Sequence, residues 1–388
     1  MILQSEYPPD IRLEKEIKSL VEHGYQVVLL SNNKSKLPRI ERINGALVCR
    51  LPFYKGLPAE LSALFNVPLF FNPVWLWQIH KLIDRYQMDL LHVHDLPLAL
   101  SAVLMGKIHR KPVIFDVHEN YPAALEIWGA KGPFSFFVRN PKLAVCLEKT
   151  CLKHAEKILV VAEEHKRLLL SRGNPGSKIH VVGNTVDYES YIQIAPKKEI
   201  LDRYQDSFLL GYVGKFGVER DLETAIRALA ALRTEIANVR LVLVGDGPNA
   251  QGLKDLAGEL GLKELVDFTG WVDFSDTVSY IKACSICIIP QPSNELIDYG
   301  VPHKLFQYMA LERPVLCSDS KALVSVVATS QCGEIFRSHS PQSFAESAKK
   351  IARSGVPYGS NGARAIQEKY NWNQSAKELL SVYRQLIG

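Results

Sequence analysis

Apolar residues along the chain fall into short continuous runs separated by stretches of helical period, the pattern of buried strands alternating with amphipathic helices. Ile2-Leu3 opens a first strand, and Pro8-Pro9-Asp10 turns it into a helix. In that helix Ile11, Ile17, Leu20 and Val21 stand among charges, and Gly24 closes it. Strands follow at 26–31, 90–95, 112–117 and 157–161, with helices over 143–154 and 164–170. The run 179–187 closes this half, and a polar linker leads to Ser207. The rhythm restarts with strands at 208–214, 239–245, 286–290 and 315–317, and with helices up to Leu232, over 344–353 and from Ala363. Such alternation predicts an α/β protein with a doubly wound parallel sheet in each half.

One stretch departs from this rhythm. Residues 61–79 carry no charge and include Phe65, Phe70, Phe71, Trp75 and Trp77. The length almost spans a bilayer, but Pro68 and Asn72-Pro73 interrupt it, which excludes a transmembrane helix. Asn72 suits an N-cap and Pro73 a first helical position, starting a helix that runs to about Asp84. The aromatics fill the core, the default for such residues, or form a lipid-facing surface with His80, Lys81 and Arg85 near the headgroups.

With 47% hydrophobic and 22% charged residues, the composition is that of a soluble globular protein, and 388 residues suffice for two cores. The net charge of +5 fits phosphate ligands or an anionic membrane surface, and we expect no nucleic acid partner. Cys284-x-x-Cys287 lies in an apolar run without a second pair or a nearby His, so it reads as core and not as a zinc site. The seven Cys are expected to be reduced thiols of a cytosolic protein. The opening Met1-Ile2-Leu3-Gln4-Ser5-Glu6 lacks the pattern of a signal peptide.

Polar residues gather where parallel strands end, the place at which open α/β sheets bind ligands. His94-Asp95 ends one strand and Asp116-Val117-His118-Glu119 another, with Asp95 and Asp116 read as holding their neighbours in place. In the second half Gly214 and Gly217 permit close backbone approach, and Lys215 and Arg220 can converge on one anion. Gly245-Asp246-Gly247-Pro248 looks like a dinucleotide loop, but it lacks the third glycine and the acidic ribose partner of a dehydrogenase. A loop with Gly300 and Pro302 leads into a helix from about Lys304, and Pro314 ends it. The first turn of that helix suits a phosphate, Lys304 adds a mobile charge, and Gln307 one turn on can bond a sugar hydroxyl.

The segment Pro302-His303-Lys304-Leu305-Phe306-Gln307-Tyr308-Met309-Ala310-Leu311-Glu312-Arg313-Pro314-Val315 resembles the nucleotide-sugar pocket of retaining glycosyltransferases of family 4, which have the GT-B fold. The Asp116–Glu119 motif, the Lys215/Arg220 spacing, Phe268-Thr269-Gly270-Trp271-Val272 and Tyr370-Asn371-Trp372 resemble further parts of the same proteins. The likeness implies two Rossmann-like domains facing a central cleft: 1–190 on the acceptor side and 191–365 holding the donor. Residues 366–388 then form a last helix that packs back across the joint. It implies His118 facing the donor sugar, with Glu119 as a second catalytic candidate. On the donor side it implies Lys215 and Arg220 gripping the diphosphate, with Gly214, Gly245 and Gly247 beside it. The backbone at Val272 would read the base, and Tyr299, His303, Lys304, Leu305 and Gln307 would line the rest. Two positions depart: Tyr299 and Gln307 stand where the family has Glu, the second of which holds the ribose. Gln307 still donates and accepts, without the strength that charge gives.

The activity implied is transfer of a sugar from a nucleotide diphosphate-sugar to a glycan or lipid-linked acceptor, with retention at the anomeric carbon. Cell-surface polysaccharide or glycoconjugate synthesis is the expected setting, in the cytoplasm with peripheral contact at the inner face of an anionic membrane. No cofactor and no metal is expected, because Lys215, Arg220, Lys304 and the helix N-terminus neutralise the leaving diphosphate. Tyr299 and Gln307 keep two alternatives open: a non-catalytic nucleotide-sugar-binding partner subunit, and a GT-B nucleotide-sugar epimerase.

Overall fold

The computed structural model describes residues 1–52, 71–128 and 140–388. They divide into two compact units, Met1–Gly183 with Ser375–Gly388, and Asn184–Gln374. The chain thus changes unit earlier than the expected 190/191 and returns later than 365/366.

Unit one contains β1 (Ile2–Glu6), α1 (Ile11–Glu22), β2 (Val28–Asn32), β3 (Ile40–Ile43), β4 (Ala46–Arg50) and α2 (Pro73–Tyr86). It continues with β5 (Leu91–His94), α3 (Leu96–His109), β6 (Val113–Val117), α4 (Tyr121–Trp128), α5 (Pro141–His154), β7 (Lys157–Val160), α6 (Glu163–Ser171) and β8 (Ile179–Val181). The sheet order is β3-β4-β2-β1-β5-β6-β7-β8, parallel apart from the β3–β4 hairpin. Succession reverses between β1 and β5, the switch point at which doubly wound sheets take ligands. Every residue of β5 and β6 is buried, so His92, His94 and Asp116 sit inside.

Local chemistry sets the helices. Asp10 caps α1 by accepting from Leu13 N at 3.0 Å. Asn72 caps α2 by accepting from Val74 N at 2.9 Å, with Pro73 in the first turn, as the sequence predicts. The structure divides the aromatics of the 61–79 run. Trp75 is fully buried and packs in the core with Ile79, Leu82 and Ile83, which removes it from any lipid-facing surface. Phe71 and Trp77 are exposed, at 56% and 55%. Phe65, Pro68 and Phe70 lie outside the described residues.

Unit two contains α7 (Tyr188–Ile192), α8 (Lys198–Tyr204), β9 (Phe208–Val213), α9 (Leu222–Leu232), β10 (Val239–Val244), α10 (Ala250–Glu259), β11 (Val266–Gly270) and α11 (Phe274–Ala283). Then follow β12 (Ile286–Ile289), α12 (His303–Ala310), β13 (Val315–Ser318), α13 (Lys321–Ser330), β14 (Gly333–Phe336), α14 (Pro341–Arg353) and α15 (Tyr358–Glu368). Its sheet, β11-β10-β9-β12-β13-β14, is parallel throughout and reverses between β9 and β12. The last helix, α16 (Trp372–Ile387), belongs to unit one from Ser375 on, where Tyr383 hydroxyl meets His92 Nδ1 at 2.9 Å. All seven Cys are free thiols, as expected, and among the described residues no helix is long and apolar enough to cross a membrane.

Candidate functional site

The site of unit two grows from the end of β9. Gly214 follows it with φ 141°, a backbone state that favours glycine. A Cβ there would lie 2.8 Å from Lys304 Nζ. Lys304 comes from the first turn of α12 and places Nζ 3.6 Å from the centre of the Tyr212 ring. Two buried phenols fix this junction. Tyr212 hydroxyl donates to Lys215 O at 3.0 Å, and Tyr308 hydroxyl accepts from Val213 N at 3.0 Å. Burial, and then the charge of Arg220, hold the pKa of Lys304 well below the ordinary lysine value. An anion beside it is what reverses that shift.

The other expected donor residues fall into two groups. Arg220 lies 3.4 Å from Glu219, and Lys215 has an exposed side chain on the same turn. His303 opens α12 and Gln307 follows Lys304 by one turn, both half-buried. Val272 is half-buried just after β11. Gly245 and Gly247 serve the packing of one turn on another. A Cβ on Gly245 would fall 2.1 Å from Gly214 O, and one on Gly247 2.6 Å from Phe216 O. The side chain of Leu305 is fully buried, so it belongs to the core. Tyr299 is buried too, with Lys321 Nζ 5.3 Å from its ring centre. Asp298 beside it accepts from Ser293 hydroxyl at 2.8 Å and pairs with Lys321 at 3.2 Å. Tyr212 and Tyr308 were missed by sequence reasoning. The one available signal was Tyr308 four residues after Lys304, on the same helical face.

The site of unit one joins β5, β6 and α1. Asp95 follows β5 with φ 63° and ψ 162°, a region that costs a non-glycine residue about 1–3 kcal/mol. That backbone places its carboxylate to accept from His118 N at 3.1 Å and to meet His118 Nδ1 at 3.3 Å. The other ring nitrogen, Nε2, lies 3.2 Å from Asp116 and 3.2 Å from His94 Nδ1. Asp116 takes a two-pronged contact from Arg12, at 3.0 and 2.8 Å through Nη2 and 3.1 Å through Nε. Arg12 also donates to Val182 O at 2.7 Å and lies 3.0 Å from Glu16. Glu119 follows His118 and is half-buried.

Charge states follow from this geometry. Burial opposes a charged His118, yet Asp95 and Asp116 outweigh it and lift the pKa to about 9. Burial also opposes an ionised Asp116, but Arg12 and His118 hold it well below the usual carboxylate range. Burial raises the pKa of Glu16 despite Arg12. His92 and His94, deep in the same cluster, are pushed down by burial and so kept neutral. The ring of His118 is therefore a clamped cation and not a free base. Asp95 and Asp116 fill the holding role that the sequence assigns them. Arg12 and Glu16 carried no such signal.

Residues 13–190 match the family model described as Glycosyltransferase Family 4, and residues 193–372 the one described as Glycosyl transferases group 1. An uncharacterised glycosyltransferase of Methanocaldococcus jannaschii is 24% identical over 100% of this chain and 98% of its own length. Among solved structures, sucrose-phosphate synthase from Thermosynechococcus elongatus superposes with a TM-score of 0.75 at 20% identity, over 97% of this chain and 92% of that one. Anabaena HepE in complex with UDP and glucose does so with 0.73 at 15% identity, over 99% of each chain. Two doubly wound parallel sheets with these neighbours define the GT-B fold. With two matches that together run from residue 13 to residue 372, the chain belongs to the group 1, family 4 glycosyltransferases.

Proposed function

We propose that this glycosyltransferase binds a nucleotide diphosphate-sugar in unit two and passes the sugar, with retention at the anomeric carbon, to a glycan or lipid-linked acceptor. The observation that carries the reading is Lys304, drawn over Tyr212 against the Gly214 turn at the strand reversal. Its pKa is depressed by burial and by Arg220, and among the described residues no acid offsets them. A diphosphate supplies that missing counter-charge. The UDP and glucose bound by Anabaena HepE, which shares the fold, support this choice of ligand.

Lys304, Arg220, Lys215 and the first turn of α12 then stabilise charge on the departing diphosphate without a metal or other cofactor. The departing phosphate takes the acceptor proton, and a clamped His118 contributes a fixed positive charge instead of base catalysis. On the acceptor side, exposed Phe71 and Trp77 beside Lys81 and Arg85 fit shallow contact with the inner face of an anionic membrane. Cell-surface glycan or glycolipid synthesis is the setting that matches such an acceptor.

Calorimetry with a nucleoside diphosphate and with the bare nucleoside tests the site. Lys304→Ala, Lys215→Ala and Arg220→Ala should each weaken the diphosphate far more than the nucleoside. Equal losses for both ligands would move these cations out of a phosphate site.

A further inference from the structure

We propose that His80, Asp84 and His109 form a three-ligand site for a divalent transition metal ion on the surface of unit one, tying the middle of α2 to the end of α3. The cluster shares no residue with the donor and strand-end sites described above. His80 and Asp84 are four residues apart on α2 and so share a face. His109 is the last residue of α3, where Arg110 turns into the left-handed region and ends the helix. The two helices pack together, which brings the third ligand beside the first two.

The distances suit chelation. Asp84 Oδ2 lies 3.5 Å from His80 Nε2, and Asp84 Oδ1 lies 3.5 Å from His109 Nδ1. One donor atom from each residue falls within 4.8 Å of the other two. Four donors at zinc-like bond lengths of about 2.0–2.1 Å, set tetrahedrally, stand roughly 3.4 Å apart. Two imidazoles and one carboxylate favour zinc, nickel or copper over magnesium or calcium, which prefer oxygen alone. Three protein ligands leave a position for water or an outside ligand.

Nothing about burial forces this convergence. His80 and Asp84 have side chains 51% and 58% exposed, so water is an available partner for each. The facing nitrogens of the two rings, His80 Nδ1 and His109 Nε2, are 2.8 Å apart and share one proton. Metal binding through the far nitrogens leaves a hydrogen on each facing nitrogen, so the rings must part slightly. The exposed His80 ring can do so, while His109, 14% exposed, is held by the fold. Lys81 lies over Trp77, on a different stripe of α2 from His80 and Asp84.

The test is titration of the chelator-stripped full chain with Co²⁺, followed by its visible absorption, and with Zn²⁺ by calorimetry. We expect one ion per chain to depend on these side chains, and Mg²⁺ not to compete. His80→Ala or His109→Ala should each weaken binding by at least about tenfold, the loss that even an outer-shell partner gives. Zn²⁺ should raise the melting temperature of the wild type but not of the His80→Ala/His109→Ala double variant. Absence of Co²⁺ and Zn²⁺ uptake at neutral pH would overturn the proposal. So would uptake that persists unchanged in the double variant, with circular dichroism confirming that the variant is folded.

Discussion

At His118 both ring nitrogens face carboxylates, and this has a consequence for stability. The ring holds its proton to about pH 9, against an ordinary value of 6.5. The folded state therefore binds more protons than the unfolded one in that window. Stability from this group is complete below pH 6.5 and is lost as pH rises through 9. Glu16, whose pKa is raised from 4.5, acts in the same direction from that value upward. His92 and His94, held neutral, subtract stability as pH falls below 6.5. The margin in urea midpoint of wild type over His118→Gln should thus shrink from near-neutral pH towards pH 9, a difference from which the opposite contribution of Lys304, with its depressed pKa, drops out. A margin that stays constant with pH would show that the clamp does not hold the proton.

Lys304 makes a second residue-level prediction. Its depressed pKa means that a bound diphosphate should draw a proton onto the amine. The enthalpy of UDP binding should then vary with the ionisation heat of the buffer, and Lys304→Met should remove that dependence. A wild-type enthalpy independent of buffer would contradict it. Sequence made the strand-end residues legible, because polar groups after an apolar run stand out. It could not reveal Arg12, whose partner Asp116 lies 104 positions away, with no local pattern linking them.

At the scale of elements, α2 shows how a cap is easier to read than a face. Asn72-Pro73 announced the start of the helix. The uncharged block hid the helical period of Pro73–Tyr86, which groups Trp75 with Ile79, Leu82 and Ile83. Trp75→Ala should therefore cost about 3–5 kcal/mol, as large-to-small core changes do. Trp77→Ser should stay within about 0.5 kcal/mol of wild type, yet reduce co-sedimentation with anionic vesicles. Equal melting temperatures for the two variants would refute this division. The donor loop was legible in part. Lys304 and its helix were evident, whereas the sequence did not show that Gly245 and Gly247 also accommodate the backbone of the β9 turn.

For the whole molecule, strand–helix alternation gave the doubly wound class, and the 302–315 segment pointed to its family. The unit boundaries were harder, because Ser375–Gly388 joins the first unit by contacts distant in sequence. Under the proposed function this chain turns over a nucleotide diphosphate-sugar through the Lys304 site. The measurement that addresses it is proton NMR of the folded protein with a panel of such donors, following nucleoside diphosphate release and the anomer first formed. The account predicts that one donor is slowly hydrolysed without acceptor and that its sugar appears first with the donor's own anomeric configuration. Lys304→Ala should lose at least about two orders of magnitude in rate, as deletion of a preorganised charge-stabilising group does. Failure of every donor to bind or turn over, or an inverted first-formed anomer, would contradict it.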